Sequence, residues 1–382
     1  MEFDFTWLLW GLPLAFGLGW LASRFDLRQW RIESRQAPRA YFRGLNHLLN
    51  EQQDQAIDAF IEAVQNDPDT SELHFALGNL FRRRGDYDRA VRVHEHLLAR
   101  GDLADKDHQR AQHALALDFL KAGLLDRAEQ ALVKLEGTPY EGEARLALLA
   151  IYERSRDWPH AHTVSGQLEA SGQGSFQLRQ AQHRCEMADA LLRQNQMVDA
   201  LTLLKQLVQE TPTSARAWIA LADTCQRLGN TRGALDALEG LSTHAPGHLP
   251  LVAHNLVQWA RVCQDETLAE RLLKRYEATH PPSLDVTQAL ASLQTDPAAG
   301  RALYIEHLKK ERSLVAATLW FAGSPLGDAE QEPYLRAALD KAAEPLKRYR
   351  CAACGFESRQ YFWQCPGCQS WDSYPPLRVE EL

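Results

Sequence analysis

A repeat of about 34 residues runs through most of this chain and constrains its fold more than any other feature. The stretches "LHFALGNLFRRRGDYDRAVRVHEHLL" and "AWIALADTCQRLGNTRGALDALEGL" carry small residues at the same offset, Gly78 with Ala90 in one and Ala222 with Ala234 in the other. Small residues let two antiparallel helices approach closely. Because one helix pair cannot bury its own apolar face, tandem copies predict neighbours that stack into a solenoid.

The repeated segments resemble the tetratricopeptide family, with six or seven units in tandem between Ala40 and about Pro281. This resemblance implies an all-α, right-handed solenoid over residues 40–345, whose first helices line a concave groove for protein partners. The family's inward-facing positions fall here on Phe75, Asn79, Arg82, Asp189, Ile219, Asp223 and Gln226. Each of these residues by itself is weak evidence for a groove, and an ordinary solvated helix surface stays open as the alternative for every one of them.

The first residues predict a membrane anchor. Residues 5–23, "FTWLLWGLPLAFGLGWLAS", are uncharged, and about 20 apolar residues are enough for a helix to cross the hydrocarbon core of a bilayer. A cleaved signal peptide would begin with basic residues, whereas this chain begins with Glu2 and Asp4 and places its basic residues after the apolar run. We therefore expect residues 1–23 to form a retained transmembrane helix.

Five arginines follow the predicted span within residues 24–39: Arg24, Arg28, Arg31, Arg35 and Arg39. The positive-inside rule then places the N-terminus in the periplasm and the bulk of the chain in the cytoplasm, as a single-pass protein of the inner membrane. At helical spacing the five side chains share one face. That face suits anionic headgroups at the membrane surface, or it is a solvated face partly neutralised by Asp26 and Glu33.

Four of the seven cysteines lie close together near the end of the chain, in the pattern CxxC, ten residues, CxxC: Cys351, Cys354, Cys365 and Cys368. This spacing predicts a tetrahedral metal site in a small domain over residues 346–382. Gly355 and Gly367 are expected to supply the unusual backbone angles of the two turns. The segments "YRCAACGF" and "CPGC" resemble the metal-binding knuckles of rubredoxins.

The four thiolates suit one iron or one zinc ion alike, and a purely structural role or a redox role for the ion stays open. The ribbon also carries more aromatic residues than so small a domain can bury. Several of them are expected to dock on the last solenoid helices or on a partner.

The remaining patterns exclude several classes of function. The formal net charge of -8 argues against nucleic acid as a partner. No phosphate loop, dinucleotide fingerprint or hydrolase motif occurs in the sequence, so we do not expect an enzyme. The pairs His94 with His96 and His160 with His162 are spaced too closely along a helix to share an ion, and we expect them at the surface.

The order of these parts and the ribbon "CAACGF…WQCPGCQSWDS" resemble the lipopolysaccharide assembly protein B family, formerly YciM, of Gram-negative bacteria. The resemblance implies an inner-membrane adaptor that promotes degradation of the LpxC deacetylase by the membrane protease FtsH, with other lipopolysaccharide synthesis or transport proteins as further partners. Two alternatives remain: a general scaffold for lipopolysaccharide synthesis and export enzymes, and a redox protein using the four-cysteine site. Homo-oligomer formation is also left open.

Overall fold

The structure, a computed structural model, describes residues 13–20, 40–67, 69–322 and 331–382. The chain divides into two compact units, the first ending at Ser155 and the second beginning at Arg156. Apart from one small two-stranded sheet, the regular structure of the described residues is helical. The predicted all-α repeat architecture with a C-terminal cysteine ribbon is confirmed.

The first unit contains seven helices among its described repeat residues. They are α1 (40–49), α2 (Gln53–Asn66), α3 (Ser71–Arg84), α4 (Tyr87–Leu98), α5 (Asp105–Ala122), α6 (Leu125–Val133) and α7 (Glu141–Ser155).

Among its described residues, the second unit continues with eleven α-helices, three short 3-10 helices and the two strands of the ribbon. The α-helices are α8 (Trp158–Ala170), α9 (Gln177–Arg193), α10 (Met197–Glu210), α11 (Ala215–Arg227), α12 (Thr231–His244), α13 (Ala253–Val262), α14 (Glu266–Thr279), α15 (Leu284–Leu293), α16 (Pro297–Lys310), α17 (Leu314–Phe321) and α18 (Glu332–Ala343). The 3-10 helices are Pro246–Val252, Glu344–Lys347 and Val379–Glu381, and the strands are β1 (Tyr349–Arg350) and β2 (Glu357–Ser358).

The turn within each repeat is marked by one residue in the left-handed region of backbone conformation, two positions before the second helix begins. These turn residues are Glu51, Gly85, Gly123, Arg156, Asn195, Gly229 and Gln264. Three are glycines, which accept this conformation freely, and the other four hold φ between 55° and 62°. The turns that lack glycine explain why the repeats around Arg156 and Asn195 match the sequence pattern weakly.

The apolar stripe predicted from the repeat forms the core of both units. In the first unit Ala56, Phe60 and Leu77 are between 0% and 6% exposed. In the second unit Ala222 and Leu238 are fully buried in a cluster that extends from α9 to α15. Burial of such apolar stripes holds consecutive helices of these clusters together, because isolated helices of this length are marginal in water.

A buried polar cluster joins α3, α4 and α5, and it corrects one expectation. His94 was expected at the surface, but its side chain is fully buried, and its Nδ1 lies 2.5 Å from Oδ2 of Asp118. Gly78 leaves the room for this imidazole, since a Cβ at that position would lie 2.5 Å from it. Arg82 also donates to Asp118, at 2.9 Å. The buried carboxylate is thereby paired on both oxygens, which is the condition for burying a charge.

Arginine–carboxylate pairs connect neighbouring repeats. Arg232 binds Asp265 at 2.7 Å, and Arg271 binds Glu239 at 3.1 Å. The partners lie 33 and 32 residues apart in sequence, about one repeat. Both arginine side chains are more than half exposed, so these pairs contribute little stability. Arg216, by contrast, is only 8% exposed.

The membrane prediction is only partly covered by the structure. Among the described residues, no helix combines the length and the apolar character needed to cross a bilayer. Of the predicted span, residues 13–20 form a helix, with Leu14, Phe16 and Leu18 exposed. The rest of the span and the five juxtamembrane arginines, Arg24, Arg28, Arg31, Arg35 and Arg39, lie outside the described residues.

Candidate metal centre and repeat groove

The four cysteines are presented by two similar backbone turns. The first follows β1, where Tyr349 and Arg350 pair antiparallel with Ser358 and Glu357 of β2. The second lies inside a single antiparallel bridge between residues 364 and 371. In each turn the N–H of the leading cysteine bonds to the carbonyl five residues later, at 2.9 Å. Both turns therefore bring their two sulfur atoms to the same side.

The sulfur atoms fit one metal ion. All four Sγ atoms lie within 4.8 Å of one another. The Sγ atoms of Cys351 and Cys368 are 3.8 Å apart, and those of Cys354 and Cys365 are 3.7 Å apart. For a metal–sulfur bond of about 2.3 Å, the corners of a tetrahedron are separated by about 3.8 Å. Four sulfurs at this separation suit a zinc or an iron ion equally.

One glycine of the ribbon takes the backbone role expected of it and the other does not. Gly355 has a φ of 76°, directly after the second cysteine of its turn. At the equivalent place in the second turn the left-handed residue is Gln369, with a φ of 61°. The prediction that Gly367 supplies this angle is wrong. A Cβ at Gly367 would meet Phe356 at 3.5 Å, an ordinary packing distance.

Serine hydroxyls lie beside one sulfur of each turn. Oγ of Ser370 is 3.3 Å from Sγ of Cys368, and Oγ of Ser373 is 3.3 Å from Sγ of Cys351. The hydrogen bond with Ser370 lowers the pKa of Cys368. Since only the thiolate form binds a metal, these hydroxyls favour the form that the site needs.

The second turn of the ribbon packs on the repeat helices through Trp371 and Asp372. The Trp371 ring meets those of Trp158 and His183 edge to face, at centroid distances of 6.0 and 6.2 Å. The carboxylate of Asp372 accepts a hydrogen bond from Nε2 of Gln182, on α9, at 2.7 Å. Ribbon aromatics thus dock on repeat helices, but Trp371 contacts α8 and α9 and not the last helices, where the docking was expected.

Trp363 forms a second contact between the ribbon and the repeats. Its indole stacks on His248, in the 3-10 helix Pro246–Val252, at 5.8 Å. Burial lowers the pKa of His248, so its imidazole is neutral at neutral pH. Tyr361 meets the same indole edge to face at 5.0 Å.

The end of the chain then fastens the ribbon to α15 and α17. Arg378 donates to Asp285 at 3.0 Å, and its guanidinium lies 4.1 Å above the Tyr349 ring.

Two carboxylates near the end of the chain cap the first turns of α15 and α17. The carboxylate of Glu381 accepts from the N–H of Leu284, the first residue of α15. The carboxylate of Glu380 accepts from the Ser313 hydroxyl at 2.7 Å. A carboxylate at the first turn of a helix satisfies its free N–H groups and its dipole.

The predicted groove positions of the second unit meet beside the ribbon. Asp189, Ile219 and Asp223 line one cavity of about 130 Å³, and Trp363 forms part of its wall. Gln226 lies one turn beyond Asp223 on α11, and its Oε1 is buried without a hydrogen-bond partner among the described residues. The sequence did not indicate that Trp363 belongs with these positions, because contacts between the ribbon and the repeats have no sequence signature.

Arg216 organises one side of this cavity. Its guanidinium donates to Glu186 at 2.8 Å, to Asp189 at 2.9 Å and to Gln182 at 3.1 Å. Gln182 in turn donates to Asp372 of the ribbon. One buried arginine thus connects α11, α9 and the metal-binding turn. Sequence reasoning missed Arg216, although its place in a first helix with acidic residues one repeat earlier is the signal that could have found it.

The predicted groove positions of the first unit make contacts within the repeats. Phe75 is 1% exposed, and the guanidinium of Arg110 lies 4.0 Å from its ring centroid. Arg82 donates to Asp118 and to the carbonyl oxygen of Ala114, and it also bonds the side chain of Asn79. Arg82 and Asn79 therefore help to hold α3 against α5.

In this chain a four-cysteine ribbon packs on repeat helices. This combination defines a class of tetratricopeptide-repeat proteins with a rubredoxin-type metal domain. The family model described as a rubredoxin metal binding domain matches residues 349–376. Models described as tetratricopeptide repeats match residues 191–258 and 73–108.

Comparison with whole proteins narrows this class to one family. Lipopolysaccharide assembly protein B of Escherichia coli K12 is 29% identical over 96% of this chain and 97% of its own length. The protein of the same name from Haemophilus influenzae is 26% identical over 97% and 98%. These matches confirm the resemblance to the lipopolysaccharide assembly protein B family over nearly the whole chain. A tetratricopeptide repeat protein structure from Parabacteroides merdae matches 69% of this chain and all of its own at 14% identity, with a TM-score of 0.33.

Proposed function

We propose that this chain is an inner-membrane adaptor that regulates lipopolysaccharide biosynthesis by promoting FtsH-dependent proteolysis of the LpxC deacetylase. The observation that carries the proposal is the similarity, over nearly the full length, to proteins named lipopolysaccharide assembly protein B. A repeat array is suited to gripping protein partners, since its groove is long and its neighbouring units stack without closing a core around it. Other proteins of lipopolysaccharide synthesis or transport are further partners in this proposal.

The proposed topology has residues 1–23 as a single anchor with a periplasmic N-terminus and the rest of the chain in the cytoplasm. In the helix formed by residues 13–20, Leu14, Phe16 and Leu18 are 62% to 78% exposed, which suits contact with lipid. The arginines of residues 24–39 would then contact anionic headgroups on the cytoplasmic side. Such an anchor keeps the adaptor at the surface where a membrane protease works.

In this proposal Cys351, Cys354, Cys365 and Cys368 hold one zinc or iron ion in the domain of residues 346–382. A ribbon this small has little core of its own, so the metal supplies much of its folding free energy. When folded, it holds Trp363 and Trp371 against the repeats. The metal therefore supports the partner surface, and no electron transfer is needed.

The proposal is tested by the half-life of the LpxC deacetylase in cells of the source organism. Three strains are compared: one with the intact chain, one lacking it, and one producing the chain without residues 1–23. We expect both changes to lengthen the half-life, because the adaptor must be present and must be at the membrane. Unchanged half-lives in both strains would contradict the adaptor function and leave the general scaffold as the better account.

A further inference from the structure

The cavity beside Trp363 contains a carboxylate without a hydrogen-bond partner. Asp223 is half-buried, and no described residue donates a hydrogen bond to it. Burial raises its pKa, and the cation that opposes this effect is Arg227, one turn along the same helix with an exposed side chain. The neighbouring Asp189 is different, since it is bonded to Arg216. Asp223 thus has acceptor capacity that the repeats do not use.

Trp363 supplies an aromatic ring to the lining of the same cavity. Trp363 stacks on His248, which burial keeps neutral, and no described arginine or lysine lies over its ring. An indole face attracts guanidinium more strongly than the other aromatic rings do. Leu192, Ile219 and Ala220 add apolar surface to the lining, and Arg216 and Arg227 line the cavity as well.

The size of the cavity limits what can enter it. Its volume is about 130 Å³, whereas pockets for drug-sized ligands or cofactors hold about 300 Å³ or more. One long side chain is the occupant that fits. Of the long side chains, arginine alone combines an apolar stem with a planar cation that both stacks on an indole and donates in parallel to a carboxylate.

We propose that this cavity receives one arginine side chain from a segment of a partner protein. Its guanidinium stacks on Trp363 and donates to Asp223, and its methylene groups contact Leu192 and Ile219. This inference rests on the proposed adaptor function and names the partner feature that the groove recognises. Because Trp363 belongs to the ribbon, the site is complete only when the ribbon is folded on the repeats.

The test uses the full-length, metal-loaded chain in detergent micelles and two probes, N-acetyl-argininamide and its neutral isostere N-acetyl-citrullinamide. Binding is followed by NMR on the tryptophan indole N–H signals, with Trp363→Phe used to assign the signal of Trp363. We expect a saturable shift of this signal with the arginine probe and little with the citrulline probe. Equal shifts with both probes, or none with either, would overturn the proposal without requiring any further variant.

Asp223→Asn should weaken binding of the arginine probe by about tenfold or more, because it removes a charge-assisted hydrogen bond. Asp199→Asn is the matched control, since Asp199 is an exposed carboxylate on α10 that forms no ion pair with any residue the structure describes, and it should leave binding unchanged. An unaltered affinity in Asp223→Asn would also overturn the proposal. If the arginine probe does not bind but deletion of the chain lengthens the LpxC half-life, the arginine site is wrong and the adaptor function stands. If the probe binds but deletion leaves the half-life unchanged, the adaptor function is wrong and the arginine site stands.

Discussion

Gly355 and Gly367 differ in backbone conformation although both lie in metal-binding turns. Gly355 holds a φ of 76°, a conformation that costs an L-amino acid roughly 1–2 kcal/mol. We expect Gly355→Ala to lower the stability of the metal-loaded ribbon by about that amount. Gly367→Ala should have little effect, because the added Cβ meets Phe356 at 3.5 Å. Thermal unfolding of both variants in the metal-loaded state measures the difference, and equal melting temperatures would contradict this assignment.

The buried imidazole of His248 should make the stability of the folded chain depend on pH. Burial lowers its pKa from 6.5, so the unfolded chain binds this proton more readily than the folded chain does. The contribution of His248 is therefore fully present above the unfolded pKa and is lost as the pH falls below it. His248→Phe keeps a ring against Trp363 and removes the titration.

The measurement is the melting temperature of the intact chain and of His248→Phe, between about pH 7.5 and about pH 5.5. The intact chain should lose more stability than the variant over this range. Comparing the two chains cancels the pH dependence of the thiolates, which both share. If the melting temperatures of the two chains fall equally with pH, the pKa of His248 is not lowered by folding, and this prediction is wrong.

The roles of residues that recur at a strict spacing could be predicted from the sequence. The roles of residues that depend on contacts distant in sequence could not. The metal-binding pattern follows from the order of four cysteines, because two-residue gaps impose one turn geometry. The burial of His94 depends on Asp118, 24 residues away, and on the space left by Gly78. A glutamine does not indicate a left-handed backbone, whereas a glycine does. The sequence therefore pointed to Gly367, and the left-handed residue is Gln369.

At the scale of helices, two arginines that connect neighbouring repeats should differ strongly in importance. Arg216 is 8% exposed and binds Gln182, Glu186 and Asp189. Its replacement by alanine leaves partly buried carboxylates unpaired, and we expect a loss of about 3 kcal/mol or more. Arg271, whose side chain is 67% exposed, is the matched control, with an expected loss of less than about 1 kcal/mol for Arg271→Ala.

Urea unfolding followed by tryptophan fluorescence compares these two variants with the intact chain. Similar losses for Arg216→Ala and Arg271→Ala would mean that burial does not govern the strength of the repeat-to-repeat pairs. Circular dichroism before unfolding checks that the helices of both variants are formed.

The helices themselves were largely predictable from the repeat. Gly85, Gly123 and Gly229 mark turns that the sequence pattern also marks, and the second helix begins two residues after each. Arg156 and Asn195 occupy the same backbone conformation without a glycine. Asparagine accepts this conformation more readily than arginine does, but neither residue marks a turn as clearly as glycine, so single-sequence reasoning finds these helices and places their ends poorly.

At the scale of the molecule, the ribbon is joined to the repeats by polar and aromatic contacts, among them Gln182 with Asp372 and Arg378 with Asp285. We expect Cys351→Ser with Cys354→Ser to unfold the ribbon and release these contacts. Hydrogen exchange should become faster near Gln182 and at the start of α15, where Glu381 no longer accepts from Leu284. Cys263→Ser, outside the ribbon, is the control. Unchanged exchange in the double variant would show that the ribbon holds its place without a metal.

The most direct measurement of the central claim is the rate at which purified FtsH degrades the LpxC deacetylase in proteoliposomes, with and without this chain in its metal-loaded, full-length form. If the chain is an adaptor, degradation is faster when the chain is present in the same membrane, and the Cys351→Ser, Cys354→Ser variant gives no such increase. An identical rate with and without the intact chain would contradict the account.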